Sequence, residues 1–201
     1  MARRSDHSRD EIHQLALAAA EALIDEGGLQ ALSARKVASR IGYTVGTLYM
    51  VFKNLDDLIL QVNGRTLDLL HQRLQGRLSE RIGGKDELMQ LAAAYIEFAQ
   101  TETPRWGMLF EYIVDDDGEL PGWYQEKLGR VFGPVEQALQ ATLPACASDK
   151  VRQASRVLWA SVHGICMLKI RQRLNLAGGQ TTRQMVEMLV DNFLVGMGCK
   201  E

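Results

Sequence analysis

The amino-acid sequence predicts an all-α protein. Only four of its 201 residues are proline, and long runs rich in Ala, Leu, Glu, Gln and Arg favour helix. No alternation of apolar and polar residues, the pattern of a half-buried strand, extends beyond a few positions. Hydrophobic residues make up 46% and charged residues 24% of the chain, which is typical of a globular protein with a sizeable core and not of a disordered chain.

The first predicted helix runs from about Ser8 to Glu26. A stripe of apolar residues spaced three or four apart is expected to be its buried face, and consists of Ile12, Leu15, Ala19 and Leu23. The pair Gly27-Gly28 follows and should end the helix.

Two short helices joined by a tight turn are predicted next. Ser33 and Thr44 are good N-cap residues for them, and Gly42 supplies the left-handed residue that commonly ends a helix. Leu48 and Phe52 lie four apart and can pack back onto the first of the two helices. This is the pattern of a helix-turn-helix, whose second helix enters the major groove of DNA.

Charge supports a nucleic-acid contact at this place. Between Gly27 and Leu55 there are four basic and no acidic residues, although the whole chain carries a net charge of -2. A locally basic surface on a mildly acidic protein indicates a confined contact with a polyanion. The predicted DNA-binding residues are Ser33, Arg35, Lys36, Tyr43, Thr44, Val45, Gly46, Thr47, Tyr49 and Lys53. The alternatives are that the basic residues are only solvated helix charges and that the Tyr49 ring covers the core.

A long fourth helix is predicted to start at Asn54, an N-cap residue, and to continue to about Leu78. Such a helix would be roughly 35 Å long at 1.5 Å per residue, enough to lead into a second domain. We place the domain boundary near Val62, which divides the chain into residues 1–62 and 63–201. Further helices are predicted over residues 85–102, 104–115, 122–143, 148–174 and 181–197. The acidic stretch 115–119 is expected to be a solvated connection, not a metal site.

The segment from about Arg9 to Val62 resembles the DNA-binding domain of the tetracycline-repressor (TetR) family of bacterial regulators. The resemblance lies in the helix 12–24, the Gly27-Gly28 pair, and the runs 32–38, 41–43 and 45–49 with Phe52. The segments 157–168 and 103–110 are similar to a C-terminal subgroup of this family that carries a Trp-His-Gly signature. The resemblance implies a helical C-terminal domain that binds a small molecule and forms dimers.

Further expectations follow from this resemblance. The protein would be a homodimeric repressor that pairs through its last two long helices and leaves a near-palindromic DNA operator when an apolar small molecule binds. Candidate ligand-binding residues are Trp106, Phe110, Trp123, Trp159, His163 and Met167. Each of these can equally be a plain core residue, since aromatic and Met side chains on helical stripes usually are.

Other classes of protein are less well supported. The start of the chain does not resemble a secretory signal and no stretch reaches about 18 apolar residues, so a cytoplasmic protein is expected. Cys146, Cys166 and Cys199 lack metal-ligand spacing and are expected to be reduced thiols. No metal, cofactor or catalytic residue is predicted. The alternatives left open are a small helical enzyme that uses His163 with Cys166, and a helical module that binds an acidic protein.

Overall fold

The structure, a computed structural model, describes residues 7–77, 84–111 and 120–198. Regular secondary structure within these ranges is helical throughout, which confirms the predicted all-α fold. The helices are α1 (Arg9–Ala31), α2 (Ala34–Arg40), α3 (Val45–Leu48), α4 (Leu55–Arg77), α5 (Gly84–Thr101), α6 (Thr103–Glu111), α7 (Gly122–Thr142), α8 (Ser148–Ile170) and α9 (Thr182–Met197), with a 3₁₀ turn at Leu174–Ala177.

The chain divides into two compact units. The first unit comprises Met1–Leu67 and Glu102–Gln125, and the second unit comprises Asp68–Thr101 and Glu126–Glu201. α4 and α7 therefore each contribute residues to both units. Compact units defined by packing need not coincide with functional domains, so the division into residues 1–62 and 63–201 stays a prediction.

The predicted helix caps are present. Ser33, Thr44 and Asn54 each accept, through their side-chain oxygen, a hydrogen bond from the backbone N–H three residues later. Ser8 forms a full capping box, because Glu11 also accepts a hydrogen bond from the Ser8 backbone N–H at 2.6 Å. Each cap satisfies N–H groups that have no partner inside a helix, which explains why these four helices begin where they do.

Three helix boundaries differ from the prediction. α1 is interrupted at Gly28, where φ is 65°, but one further turn carries it to Ala31. Regular helix in α3 covers only Val45–Leu48, and a hydrogen-bonded turn completes the predicted segment to Phe52. α8 ends at Ile170 because the chain turns at Gln172, whose φ of 54° is incompatible with helix.

The core of the first unit is built by α1, α2, α3, α4 and α6. Its buried side chains include Ala16, Leu17, Ala20, Leu23, Ile24, Val37, Leu48, Phe52, Leu58, Ile59, Val62 and Met108. The predicted stripe of α1 was wrong at Leu15, which is 38% exposed, because the buried face runs through Ala16 and Ala20 instead. Burial of a Leu, Ile or Phe side chain contributes about 1.5–3 kcal/mol, so this small core accounts for much of the unit's stability.

Polar contacts fix two of these helices on α1. Arg105 of α6 donates two hydrogen bonds to the Asp25 carboxylate, from Nε at 2.7 Å and from Nη2 at 2.6 Å. Arg65 of α4 forms an ion pair with Glu21 at 3.2 Å. A bidentate guanidinium–carboxylate pair fixes orientation as well as distance, so α6 is held in a defined register along α1.

The second unit packs α5, α8 and α9 with the adjoining parts of α4 and α7. Its buried apolar side chains include Leu70, Leu74, Leu88, Leu91, Phe98, Leu139, Val151, Leu158, Val162, Val186 and Val190. On the surface, Lys85 of α5 forms ion pairs with Asp191 at 2.7 Å and Glu187 at 3.4 Å on α9. The hydrogen bond to Asp191 raises the pKa of Lys85, so this lysine is charged at neutral pH.

The described residues include two of the three cysteines, Cys146 and Cys166. Cys146 is disulfide-bonded, which corrects the expectation of a reduced thiol at this position, and its sequence spacing gave no signal for a bridge. Cys166 is a free cysteine, as expected. Cys199 and the acidic stretch 115–119 lie outside the described residues. No cluster of three metal-ligating side chains occurs in the part of the chain that the structure describes. No helix there is long and apolar enough to cross a membrane.

Candidate nucleic-acid interface and ligand cavity

The turn between α2 and α3 has the hydrogen bonds of a Schellman motif. Tyr43 N–H donates to the Ala38 carbonyl at 2.9 Å, and Gly42 N–H donates to the Ser39 carbonyl at 3.2 Å. Gly42 adopts a φ of 75°, which an L side chain adopts only with strain. These bonds end α2 and direct the chain into α3 within three residues, as the sequence predicted.

The buried side of α3 attaches it to the rest of the first unit. Leu48 is 1% and Phe52 is 2% exposed, which confirms that both pack inward. The His13 ring stacks on Phe52 with 4.6 Å between ring centroids. His13 Nε2 donates to Gln61 Oε1 at 2.7 Å, since the Gln61 amide nitrogen donates to Asp57 at 3.0 Å. Hydrogen bonds thus join α1 to α4, and the same histidine of α1 stacks on Phe52 at the end of the turn after α3.

The opposite side of α3 faces solvent. Thr44, Gly46 and Tyr49 are exposed, and Tyr43, Val45 and Thr47 are partly exposed. The Thr44 and Thr47 hydroxyls lie 3.0 Å apart and form a hydrogen bond, which orders the first turn. All six residues that the sequence marked for the N-terminal end of the second helix are therefore at least partly exposed.

The predicted phosphate-contacting residues flank this face along the chain. Arg35, Lys36 and Lys53 are exposed, and Lys36 Nζ donates to the Ala31 carbonyl at 3.0 Å. Arg40, by contrast, forms an ion pair with Glu26, in which Nη2 donates to both carboxylate oxygens at 2.8 and 2.9 Å. The Ser33 hydroxyl oxygen serves as the α2 cap. The basic character of the segment therefore rests on Arg35, Lys36 and Lys53.

Two residues near the start of the chain also support α3, and the sequence pattern gave no sign of this role. His7 Nδ1 forms a hydrogen bond with the Tyr43 hydroxyl at 2.8 Å. Arg9 Nη2 donates to the Met50 carbonyl at 2.8 Å. The two contacts lie before and after the recognition helix. The contacting residues are separated by 36 and 41 positions in the sequence. Such contacts produce no local sequence pattern from which they could be predicted.

An apolar cavity of about 40 Å³ lies inside the second unit. It is lined by Leu74, Leu88, Leu91, Ala92, Tyr95, Val131, Phe132, Val135, Leu158, Trp159, Val162 and Val190. No polar atom of these lining residues is exposed to it. Since a cavity needs about 10–15 Å³ to hold one water molecule, the space corresponds to a few waters and not to a drug-sized ligand.

Aromatic side chains form a connected group at this cavity. The Phe132 and Trp159 rings meet edge to face at 5.6 Å, and the His163 ring lies 5.4 Å from Trp159. His163 Nδ1 forms a hydrogen bond with the Tyr95 hydroxyl at 2.8 Å. Burial lowers the pKa of His163, so its neutral form prevails at neutral pH. The guanidinium of Arg156 lies 4.0 Å from the Phe132 ring centroid.

The candidate ligand-binding residues are divided between the two units. In the second unit Trp159 lines the cavity, His163 contacts Trp159, and Met167 is partly buried on α8. In the first unit Trp106 is 3% exposed and packs against the exposed Phe110, with ring centroids 5.2 Å apart. Trp123 is 39% exposed. Their role as a ligand-binding set stays a prediction, and the lining residues Tyr95 and Phe132 were not among it.

Cys166, the second residue of the possible enzyme pair, has an environment that disfavours reactivity. Its side chain is fully buried, and burial raises the pKa of its thiol to about 11. Because the thiolate and not the thiol is the nucleophile, this cysteine is unreactive near neutral pH.

Comparisons with known proteins cover nearly the whole chain. Residues 16–62 match the family "Bacterial regulatory proteins, tetR family", and residues 88–193 match "Tetracyclin repressor-like, C-terminal domain". No curated protein matches the chain.

Solved structures of similar fold extend along the same length. A protein of unknown function from Rhodococcus sp. RHA1 is 18% identical, with 98% of this chain and 100% of that chain covered and a TM-score of 0.76. A TetR-family transcriptional regulator from Streptomyces coelicolor is 22% identical over 92% of this chain and 98% of that chain, with a TM-score of 0.63. The multidrug binding protein EbrR, complexed with imidazole, is 18% identical over 90% and 93%, with a TM-score of 0.62.

At these identities the solved structures show the fold alone, whereas the two family matches carry the assignment. The C-terminal match alone spans more than half of the chain, and the N-terminal match covers the helix-turn-helix described above. Members of this family are transcriptional regulators and not enzymes. The chain therefore belongs to the tetR family of bacterial regulatory proteins.

Proposed function

We propose that this protein is a homodimeric repressor that leaves a near-palindromic DNA operator when an apolar small molecule binds to its C-terminal domain. The observation that carries the proposal is the exposed face of α3, where six residues suited to DNA contact surround a helix start held by the Schellman turn and the Thr44 cap. A rigid helix end of this kind is what major-groove recognition requires.

Within this face we assign two roles. Arg35, Lys36, Lys53 and Tyr49 would position the protein by contacts with phosphates, which carry no sequence information. Thr44, Val45, Gly46 and Thr47 would contact base edges, with Val45 and the threonine methyl groups against thymine methyls. Because long polar side chains are scarce here, part of the specificity would come from the shape of the DNA.

Dimerisation through α8 and α9 is supported by their exposed apolar residues. Val157 is 57%, Met188 55% and Val195 83% exposed, whereas Val186 and Val190 of α9 face inward. Met188 and Val195 are seven positions apart and therefore lie on the same side of α9. Exposed apolar side chains grouped in this way commonly mark a protein–protein contact. In the dimer, two recognition helices would lie about 34–36 Å apart, the spacing of successive major grooves.

Release by a ligand is supported by the cavity of the second unit. A ligand shifts an equilibrium only through its different affinity for the two states. We propose that a bound apolar molecule favours a state in which α4 holds the recognition helices at a spacing that does not fit the operator. The similar EbrR is described as a multidrug binding protein, which agrees with a small-molecule site in a protein of this fold.

The DNA-binding role is tested by two substitutions with opposite signatures. Arg35→Ala should weaken binding to operator and to random duplex alike, and should lower the slope of the salt dependence by about one counterion, since one phosphate is no longer neutralised. Thr47→Ala should weaken binding mainly to the operator, by about 1–3 kcal/mol at one or two base pairs. Binding is measured by fluorescence anisotropy at several salt concentrations.

Arg152→Ala is the matched control, because Arg152 is also an exposed arginine, with 63% of its side chain accessible, but lies on α8. It should leave DNA affinity unchanged. Equal effects of Thr47→Ala on operator and random duplex would contradict its base-reading role. A strictly monomeric particle in sedimentation would contradict the proposed pair of recognition helices.

A further inference from the structure

The cavity of the second unit has an apolar lining and a small volume, and these two properties restrict which molecules can bind in it. We infer that it selects neutral molecules of about one aromatic ring or a short aliphatic chain, and that it rejects charged molecules of the same size and shape. This inference names the ligand class of the site in the proposed function and rests on that site being the effector site.

Charge is excluded by the lining. The residues around the cavity are Leu, Val, Ala, Tyr, Phe and Trp, none of which carries a charge at neutral pH. A carboxylate or ammonium group that enters such a space loses its hydration and gains no partner, which costs far more than the apolar contacts return. Neutral molecules lose little hydration on the same transfer.

The aromatic rings that line the cavity, among them Phe132, do not provide a site for cations. An aromatic ring can attract a cation over its face, but the Phe132 ring is already engaged by the Arg156 guanidinium at 4.0 Å. Arg156 in turn forms an ion pair with Glu136. A second cation at Phe132 would meet a ring whose electrons are polarised toward Arg156, and would be repelled by that guanidinium.

A hydrogen-bonding group on the ligand finds no partner in the site. Tyr95 and Trp159 are the lining residues whose side chains carry a polar atom, and neither of these atoms is exposed to the cavity. The Tyr95 hydroxyl is bonded to His163 instead. Phenol is therefore expected to bind more weakly than toluene, because its hydroxyl would be buried without a hydrogen bond. It should still bind more tightly than the two ions, because a neutral hydroxyl loses less hydration than a charge.

Size is limited by the space inside the packed helices. About 40 Å³ is far below the ≈ 300–1,000 Å³ typical of sites for drug-sized ligands. A single ring already requires the Leu and Val side chains to move apart. Larger molecules would have to separate the helices, since a close-packed interior does not deform gradually.

The experiment measures binding of four probes of nearly equal shape by isothermal titration calorimetry at pH 7, without DNA. The probes are toluene, phenol, benzoate and benzylammonium. Toluene should bind, phenol should bind more weakly than toluene, and the two ions should bind ~100-fold more weakly than toluene or worse. Because no DNA is present, a positive result stands even if the protein fails to leave its operator, and a negative result leaves operator binding intact.

Two neighbouring alanines of α5 provide a matched pair of variants. Ala92 lines the cavity, whereas Ala93 lines an open groove with Met89 and Ile96 on the other side of the helix. Ala92→Leu should abolish binding of toluene, and Ala93→Leu should leave it unchanged. Leu91→Ala enlarges the cavity and should bind toluene more tightly while still rejecting benzoate.

Three results would overturn the inference. The first is binding of benzoate or benzylammonium within tenfold of toluene, which would show that charge is tolerated. The second is loss of toluene binding in Ala93→Leu but not in Ala92→Leu, which would place the ligand in the groove. The third is failure of both the wild type and Leu91→Ala to bind either neutral probe.

Discussion

The segment around α3, residues 43–52, and the cavity of the second unit differ in where their candidate functional side chains lie. Around α3 the candidate contacts point to solvent, and they lie within a short stretch of chain fixed by caps and one turn. The cavity is lined by buried and half-buried residues from five helices, from Leu74 to Val190. Local sequence therefore determines the first site, and packing of distant segments determines the second.

This difference explains what could be predicted. Ser33, Gly42, Thr44 and Asn54 were identifiable because a cap or a left-handed residue acts on its immediate neighbours. The inward orientation of Leu48 and Phe52 followed from helical spacing. The all-α fold was equally accessible, since helix content depends on composition and short-range periodicity.

The cavity lining could not be predicted in the same way. Tyr95 and Phe132 belong to ordinary apolar stripes, and such a stripe is identical in sequence whether it fills a core or borders a void. The contact of His7 could not be predicted either, because its hydrogen bond joins a residue before α1 to Tyr43 in the turn between α2 and α3. Sequence spacing cannot show contacts that arise only when separate helices pack.

The largest expected effect is a difference in stability between a substitution near α3 and one at the cavity. Phe52→Ala removes a ring that is 2% exposed in the core of the first unit, and should destabilise the protein by about 3–5 kcal/mol. Phe132→Ala, in a half-buried ring beside an existing cavity, should cost less. Thermal unfolding followed by circular dichroism compares the two variants. Equal losses of stability would remove the distinction between a packed core and a cavity wall.

A smaller effect is expected from the cap that begins α4. Asn54→Ala removes the acceptor of the 2.8 Å hydrogen bond from the Asp57 N–H and should cost about 1 kcal/mol. Asn54→Asp keeps an acceptor at the helix start and should retain full stability. Urea unfolding of the two variants makes the comparison. Equal destabilisation by both would show that the side-chain oxygen does not act as a cap.

The pH dependence of stability tests the environment of the cavity. Burial holds the pKa of His163 below its ordinary value of 6.5, so the unfolded chain binds more protons between the two values. The contribution of neutral His163 to the free energy of unfolding is fully present above pH 6.5. It is lost as the pH falls through the pKa that His163 has in the folded protein. His163→Gln should therefore lose less stability on acidification than the wild type. The exposed His7→Gln is the control, and parallel curves for wild type and His163→Gln would contradict the prediction.

The smallest effect concerns the support of α3 by the start of the chain. His7→Ala removes the hydrogen bond to the Tyr43 hydroxyl and should weaken operator binding by about twofold, as expected for one exposed hydrogen bond. Affinity for random duplex should not change, because the hydrogen bond fixes Tyr43 directly before the residues proposed to contact bases. A parallel loss of affinity for both duplexes at low salt would show instead that His7 binds phosphate directly.

The short α3 helix divides its residues cleanly between two tasks. Leu48 and Phe52 are buried and attach it to the core, while Thr44, Gly46 and Tyr49 are exposed to solvent. Under the proposed function, operator preference and folding are therefore separable properties of this segment. A combinatorial library restricted to the solvent-facing positions should yield mostly soluble, folded variants, from which regulators with altered target sites can be selected without re-engineering the scaffold.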